Sequence, residues 1–514
     1  MRNKIIPTIA LISIVIAGFW FRLYGILDNH SFWADEAGAS SFARNIVTGK
    51  LPLLRGLMAI TYEPLHIGIT AIFFSVFGFN EFAARLPYVL LGTVGIVFAY
   101  LLGKRLSNTT GGLISSFMFS FSQLNLANST QAKPYAAVET LLLVILYLLT
   151  YINNTKIKST EEKHNPFLTS AISIHFLIII SLITATLIHA IASMFWIIYI
   201  IYCTLMYFKL FSKLFFKPIF LVSFITLCTL LFYVVSFNRV FFNIFTMQNG
   251  KFFFLSNNTK YIKHLLLNEY AIFLLPAIFA LYYSYKKYRY ITIGLVVWIA
   301  ILLLMWNFRS YSHNIRYLVP FFGVMFVFFG VFWGKIGEQL SIKLKNNSIK
   351  LIPFVVIAVL YISGYKIVRL PQTYYSPNAD FYGDVQIANY KSMFDSIKKN
   401  VPNYKNIAIY NSIPDAEIWY FTEKRSNAYF MKGTEKPFLH QLYKVMIYGN
   451  LHNFLVEKSK YPKGILIVED WESYLPEDIK QYAKKNMKLE FRIDSLAQAK
   501  DDPWPLEVYS WGIH

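Results

Sequence analysis

A 514-residue chain that is 56% hydrophobic, 18% aromatic and only 15% charged is too apolar for an ordinary soluble globular protein, which would have to expose large apolar patches. A net charge of +21 raises nucleic acid as a partner, but the Lys and Arg residues lie mainly in short loops between apolar runs. That is the pattern of positive-inside membrane insertion, and it argues against nucleic acid.

In chain order, Arg2 and Lys4 precede an apolar run, Ile5 to Leu27, with no small-residue cleavage site after it. This predicts an uncleaved first span with a cytoplasmic N-terminus, and it places the stretch Asp28 to Ser40, DNHSFWADEAGAS, outside. Residues 36–49 have a helical pattern ending in a Gly stop. Pro64 to Gly78 is apolar but would reach only about 22 Å at 1.5 Å per residue, short of the roughly 30 Å hydrocarbon core. It is expected to be interfacial or re-entrant; were it a span, Lys104-Arg105 and the next basic loops would fall on the wrong side.

Further spans are expected at about Arg85–Gly103, Thr109–Leu126, Tyr135–Ile152, Phe167–Ile188, Ala190–Phe208, Pro218–Phe237, Glu269–Tyr285, Tyr290–Phe308, Tyr317–Trp333 and Leu351–Val368. That makes about eleven, with Lys in every inside loop. Cys203 and Cys228 both sit inside apolar runs, so core packing is expected of them, with no disulfide framework and no thiol metal site.

Near Arg369 the character changes: Pro, Asn, Asp and Tyr become common and the apolar runs shorten. Residues 406–410, 464–468 and 487–493 read as strands, and 414–421 and 476–485 as helices. The expected architecture is a polytopic α-helical membrane domain over 1–369, with interfacial helices, followed by a small α/β extracytoplasmic domain over 370–514.

This topology gathers unusual polar residues on the outer side: Asp35, Glu36, Glu63, His66, Arg85, Gln131, Lys133, Tyr135, His189, Arg309, His313 and Arg316. Ionisable groups at membrane depth are costly and are usually paired or functional. Each has a plainer alternative. Asp35 and Glu36 could simply open a helix, where acids favour the N-terminal dipole. Glu63 could be a first-turn acid beside an N1 proline. His66 and His189 could be packed histidines. Arg85 could snorkel, and Lys133 and Tyr135 could anchor at the interface. Arg309 and Arg316 run against the positive-inside trend, and a phosphate partner would account for them.

These residues sit in short motifs whose order resembles a known family. Tyr62-Glu63-Pro64-Leu65, the run FNEFAARLP from Phe79 to Pro87, YLLGKR from Tyr100 to Arg105, STQAKPY from Ser129 to Tyr135, and RYLVP from Arg316 to Pro320 follow the acidic pair Asp35-Glu36. In that order they resemble the GT-C superfamily of membrane glycosyltransferases, in the branch of the protein O-mannosyltransferases and the aminoarabinose transferase of lipid A. The resemblance covers roughly residues 5–335. Two positions depart from the pattern: Glu63 stands in place of a usual His or Pro, and Lys133 stands where Arg is common.

The resemblance implies sugar transfer from a polyprenyl-phosphate donor to a glycan, lipid or protein acceptor, outside the cytoplasmic membrane. Asp35 would be the catalytic base, with Glu36 supporting it. Arg85, Lys133, Tyr135, Arg309, Arg316 and Tyr317 would face the donor phosphate. A single displacement assisted by one carboxylate would invert the anomeric carbon. No cofactor is assigned, although Glu63, His66 and His189 could together hold a divalent metal. The alternative is a transporter or flippase of a lipid-linked sugar, but no internal repeat of the kind common in transporters stands out.

Overall fold

The apolar runs fold as helices at every expected span position except the seventh, which lies outside the described residues. The computed structural model describes residues 2–58, 63–158, 166–208, 270–309, 315–364, 371–375, 387–440, 444–469, 474–496 and 505–513. The helices are α1 (Arg2–Tyr24), α2 (Ala34–Val47), α3 (Leu53–Leu57), α4 (Pro64–Phe77), α5 (Glu81–Leu106), α6 (Thr109–Phe121), α7 (Gln123–Ser129), α8 (Tyr135–Lys158) and α9 (Pro166–Ile188). They continue as α10 (Phe195–Met206), α11 (Ala271–Lys287), α12 (Arg289–Arg309), α13 (Val319–Lys343) and α14 (Ile352–Gly364).

Among the described residues four helical stretches are long and apolar enough to cross a membrane: residues 5–24, 81–106, 135–152 and 315–343. With the shorter apolar helices around them they make a multi-pass membrane protein. The 315–343 stretch is mostly buried and stands at the centre, whereas 5–24 is mostly exposed and presents Ile5, Ile9, Ile12 and Ile16 at the periphery, where lipid can cover them. Small residues let the centre close tightly. A Cβ on Gly330 of α13 would lie 2.6 Å from the Gly111 carbonyl of α6, and Ser115 donates to the Val327 carbonyl at 3.0 Å.

Three expectations need correction. The span expected over 109–126 is broken: α6 stops at Phe121, Ser122 takes an extended ψ of 127°, and its hydroxyl caps α7 through the Asn125 N–H. The run 190–208 begins with a 3-10 turn, Ala190–Met194, before α10. The tenth expected span starts in a 3-10 turn, Ile315–Leu318, and continues ten residues beyond Trp333. Elsewhere the local signals hold. Pro64 opens α4 at N1 and Gly78, at φ +79°, closes it, while Gly49 at φ +69° follows α2. Cys203 is a free thiol, and Cys228 lies outside the described residues.

The C-terminal part forms one seven-stranded mixed sheet: β1 (Ala408–Asn411), β2 (Ala428–Phe430), β3 (Phe438–Leu439), β4 (Met446–Tyr448), β5 (Gly464–Glu469), β6 (Lys488–Ile493) and β7 (Leu506–Trp511). The order is β3-β4-β2-β1-β5-β7-β6, with β4, β2, β1 and β5 parallel. Side chains alternate across it. Ile465 and Ile467 pack with α15 (Tyr390–Asn400), and Leu466 and Val468 pack on the other face with α17 (Leu451–Ser459) and α18 (Glu477–Asn486). The expected strands at 464–468 and 487–493 are present. The strand expected at 406–410 starts two residues later, because Tyr404–Asn406 forms a 3-10 turn.

The sheet domain is docked on the helices through α16 (Pro414–Tyr420). Trp419 meets the Phe32 ring edge-on at 5.1 Å and stacks on Phe74 of α4 at 5.6 Å. Arg44 of α2 lies 4.6 Å from the Trp419 ring and donates to the Ile418 and Trp419 carbonyls at 2.7 and 3.1 Å. The Phe32 N–H donates to the Tyr420 hydroxyl at 2.6 Å, and Lys391 reaches the Asn29 carbonyl at 3.0 Å and Glu81 at 3.3 Å. The stretch 28–33 is thus held between the helix bundle and the sheet.

Candidate functional site

Two adjacent acids on the first turn of α2 meet different surroundings. One residue along a helix is a rotation of about 100°, so neighbours point to different faces. Glu36 points inward. Its carboxylate accepts from the Trp33 N–H at 2.9 Å, one half of a capping box, and from the Ala132 N–H at 2.6 Å. It also takes a two-pronged contact from Arg85, with Nε and Nη2 each at 2.9 Å. Arg85 sends Nη1 to the His30 carbonyl at 2.9 Å and Nη2 to the Ser31 carbonyl at 3.0 Å, over the Phe32 ring. Both side chains are buried. Burial alone would raise Glu36, but the charge and hydrogen bonds of Arg85 overcome it and hold the group below its ordinary value. The pair joins loop 28–33, α5 and loop 130–134.

Asp35 points to the open side, and its side chain is 54% exposed. Its Oδ2 receives Arg316 Nη1 at 2.7 Å and Lys133 Nζ at 3.1 Å. The charge of Lys133, then that of Arg316, holds Asp35 well below the usual carboxylate range against the opposing effect of burial. Arg316 lies 5.4 Å from the Tyr317 ring and 6.0 Å from that of Tyr135, and the two rings meet edge-on at 6.2 Å. Lys133 and Arg316 therefore meet on Asp35, with the Tyr135 and Tyr317 rings beside Arg316, while Arg85 is drawn away to Glu36. Arg309 is the last residue of α12; the residues after it, 310–314 with His313, lie outside the described ones.

Glu63, His66 and His189 also converge. Glu63 Oε2 is 3.7 Å from His66 Nε2, and its Oε1 is 3.5 Å from His189 Nε2. The Tyr88 hydroxyl bonds His66 Nδ1, and the Ile191 N–H donates to His189 Nδ1 at 3.1 Å. Burial lowers both histidines toward the neutral form, and burial followed by the nearby Asp35 charge raises Glu63. The expected proximity is present. Among the described residues no group of three or more His, Cys, Asp or Glu side chains is arranged to hold a metal ion. Each histidine faces a different oxygen of one carboxylate, which suits a neutral polar cluster.

Other groups beside the site were not anticipated. His30 Nδ1 bonds Asp28 Oδ1 at 2.7 Å, and its ring meets Tyr374 at 5.2 Å. The DNHS run offered a signal for that pair. Nothing in the sequence signalled Trp419, Tyr420 or Lys391, which arrive through tertiary contact alone.

The fold has known counterparts. The family model for dolichyl-phosphate-mannose-protein mannosyltransferase matches residues 63–193, a stretch that includes Glu63, His66, Arg85, Lys133, Tyr135 and His189. An uncharacterised protein of Aquifex aeolicus is 28% identical over 143 residues, covering 27% of this chain and 28% of that one, so the match spans well under half of its length. The crystal structure of apo ArnT from Cupriavidus metallidurans superposes with a TM-score of 0.58 at 12% identity, covering 97% of each chain. The same protein bound to undecaprenyl phosphate gives 0.57 at 12% identity, covering 98% of this chain and 97% of that one. The archaeal oligosaccharyltransferase AglB from Archaeoglobus fulgidus, in complex with an inhibitory peptide and a dolichol-phosphate, gives 0.55 at 11% identity over 89% of this chain and 69% of that one.

The helical architecture is therefore shared with ArnT and AglB. The match of residues 63–193 to the dolichyl-phosphate-mannose-protein mannosyltransferase model agrees with the resemblance that the sequence motifs carry.

Proposed function

We propose that this protein transfers a sugar from a polyprenyl-phosphate donor to an acceptor hydroxyl at the outer face of the cytoplasmic membrane. Residues 1–369 form the catalytic part in this reading, and 370–514 an extracytoplasmic domain. The supporting observation is the Asp35–Lys133–Arg316 cluster: one accessible carboxylate on two cations that are themselves mostly buried.

The geometry suggests an exchange of partners. The donor's phosphodiester carries one negative charge, as the carboxylate does, but its two non-bridging oxygens fit the Arg316 fork and the Lys133 ammonium, and it gains a second charge as the sugar leaves. On binding, it takes both cations from Asp35. The Asp35 carboxylate, relieved of the charges that depress its basicity, becomes a competent base. It takes the acceptor proton as the acceptor oxygen attacks the anomeric carbon. The bond from that carbon to the phosphate oxygen breaks, and polyprenyl phosphate leaves with the electron pair, stabilised by Lys133 and Arg316. One displacement inverts the centre. Glu36 and Arg85 then serve the site by fixing the loops, since their polar atoms are already committed to each other and to the backbone.

The test is sugar transfer by Asp35→Asn, measured in membranes that contain wild-type amounts of protein. The expected outcome is a loss of roughly 10²–10⁴-fold in turnover, the range that general-base catalysis contributes. Transfer near the wild-type rate would sink the assignment.

A further inference from the structure

One charged side chain inside the bundle takes no part in the site above. Arg22 of α1 is wholly buried. A charge at such depth persists only where partners hold it. Nη1 donates to the Ser120 carbonyl at 2.9 Å and the Gly18 carbonyl at 3.0 Å, and Nη2 donates to the Phe119 carbonyl at 3.3 Å. Phe119 and Ser120 lie in the last turn of α6, where the break at Ser122 leaves carbonyls without helical partners. In an apolar surround such carbonyls must be satisfied from elsewhere. The Met118 carbonyl takes the Ser122 N–H, and the Phe119 carbonyl takes a second donor, Asn125 Nδ2, at 3.2 Å. A cation here also complements the negative end of the helix dipole. Close approach makes this possible: a Cβ on Gly18 would lie 2.0 Å from Ser120 Oγ, and one on Gly92 of α5 would lie 3.0 Å from Arg22 Nε.

The break also bears on the site. Helix α7 leads directly into loop 130–134, which carries the Ala132 N–H bound to Glu36 and the Lys133 ammonium bound to Asp35. On the other side of that loop, in the second turn of α8, Glu139 is buried. Its Oε1 has no hydrogen-bond partner among the described residues. A Cβ on Gly323 of α13 would lie 2.3 Å from that Oε1, so a glycine leaves the room that Glu139 fills.

We infer that Arg22 is a positioning residue: by satisfying the broken end of α6 it sets the course of α7 and presents Lys133 to Asp35. The geometric part is independent of the glycosyl-transfer reading, and the kinetic consequence rests on it.

Two measurements on the purified full-length protein test this. The first is the rate at which an amine-reactive reagent modifies Lys133, followed by quantitative mass spectrometry. In Arg22→Met the loop loses its anchor, and Lys133 modification rises at least about threefold, with Arg22→Lys between that variant and the wild type. The second is a double-mutant cycle. Arg22→Met lowers kcat/KM for the donor about tenfold in the wild-type background but less than about twofold in Lys133→Met, because the coupled site is already lost. Equal losses in both backgrounds would mean a general structural role and overturn the inference, as would unchanged Lys133 modification. Should Arg22→Met not give monodisperse protein, Arg22→Gln keeps amide donors without the charge and carries the same comparisons. If the wild type transfers no sugar, raised Lys133 modification in the variants still supports the positioning role while the catalytic reading fails.

Discussion

At the scale of single residues, the adjacent acids show how one step along a helix separates scaffold from chemistry. Glu36 is closed in by Arg85 and two backbone N–H groups, so removing either charge strands the other in a buried place. Glu36→Ala is expected to destabilise the fold by about 3–5 kcal/mol, while a paired apolar replacement of Glu36 and Arg85 restores much of the loss. Thermal melts in detergent read both. Glu63 makes a pH prediction. Its pKa is raised in the fold, so the neutral form is favoured. Its contribution to stability is complete below the ordinary carboxylate range and is lost as pH climbs through the raised value. Glu63→Gln is permanently neutral, so its melting temperature should fall less than that of the wild type between about pH 5 and pH 8. Identical slopes would show that Glu63 is ionised in the fold. The sequence identified Asp35, Glu36, Glu63 and both histidines as a set, because acids and histidines at span ends are rare. It did not separate their roles, because the partner that absorbs Glu36 lies 49 residues away.

At the scale of elements, long apolar helices were legible because period and length both exceed what chance produces, whereas the break at Ser122 was not. Ser is tolerated in membrane helices, and here the stop depends on Arg22 reaching the freed carbonyls from another helix. The strands at 428–430, 438–439 and 446–448 were likewise too short to show an alternation of their own, and they exist because neighbouring strands pair with them. Helix α16 carries the docking contact in one ring. Trp419→Ala removes the stacking on Phe74, the edge contact with Phe32 and the platform for Arg44. The expected cost is about 3–5 kcal/mol of stability at that contact. Hydrogen exchange should show faster exchange of the Phe32 and α2 amides, and protection equal to the wild type would mean that the sheet domain is held elsewhere.

At the scale of the whole molecule, the bundle and the sheet domain share the stretch 28–33, a feature that composition alone gave no reason to expect. A change from apolar to polar character near Arg369 marks a domain, but it does not say which surface that domain will cover. The contact also imposes an order in time. The Phe32 N–H and the Tyr420 hydroxyl are 388 positions apart. At the usual pace of synthesis, about 5–20 residues per second, the first waits roughly 20–80 s for the second to be made. The acidic loop therefore emerges early and stays uncovered until the sheet domain is made, and it reaches its final form only when that domain has folded against it. A ribosome that stops near residue 400 leaves a chain that holds Asp35, Lys133 and Arg316 but not the Tyr420 hydroxyl that the Phe32 N–H meets, so the cover on this loop waits for the sheet domain.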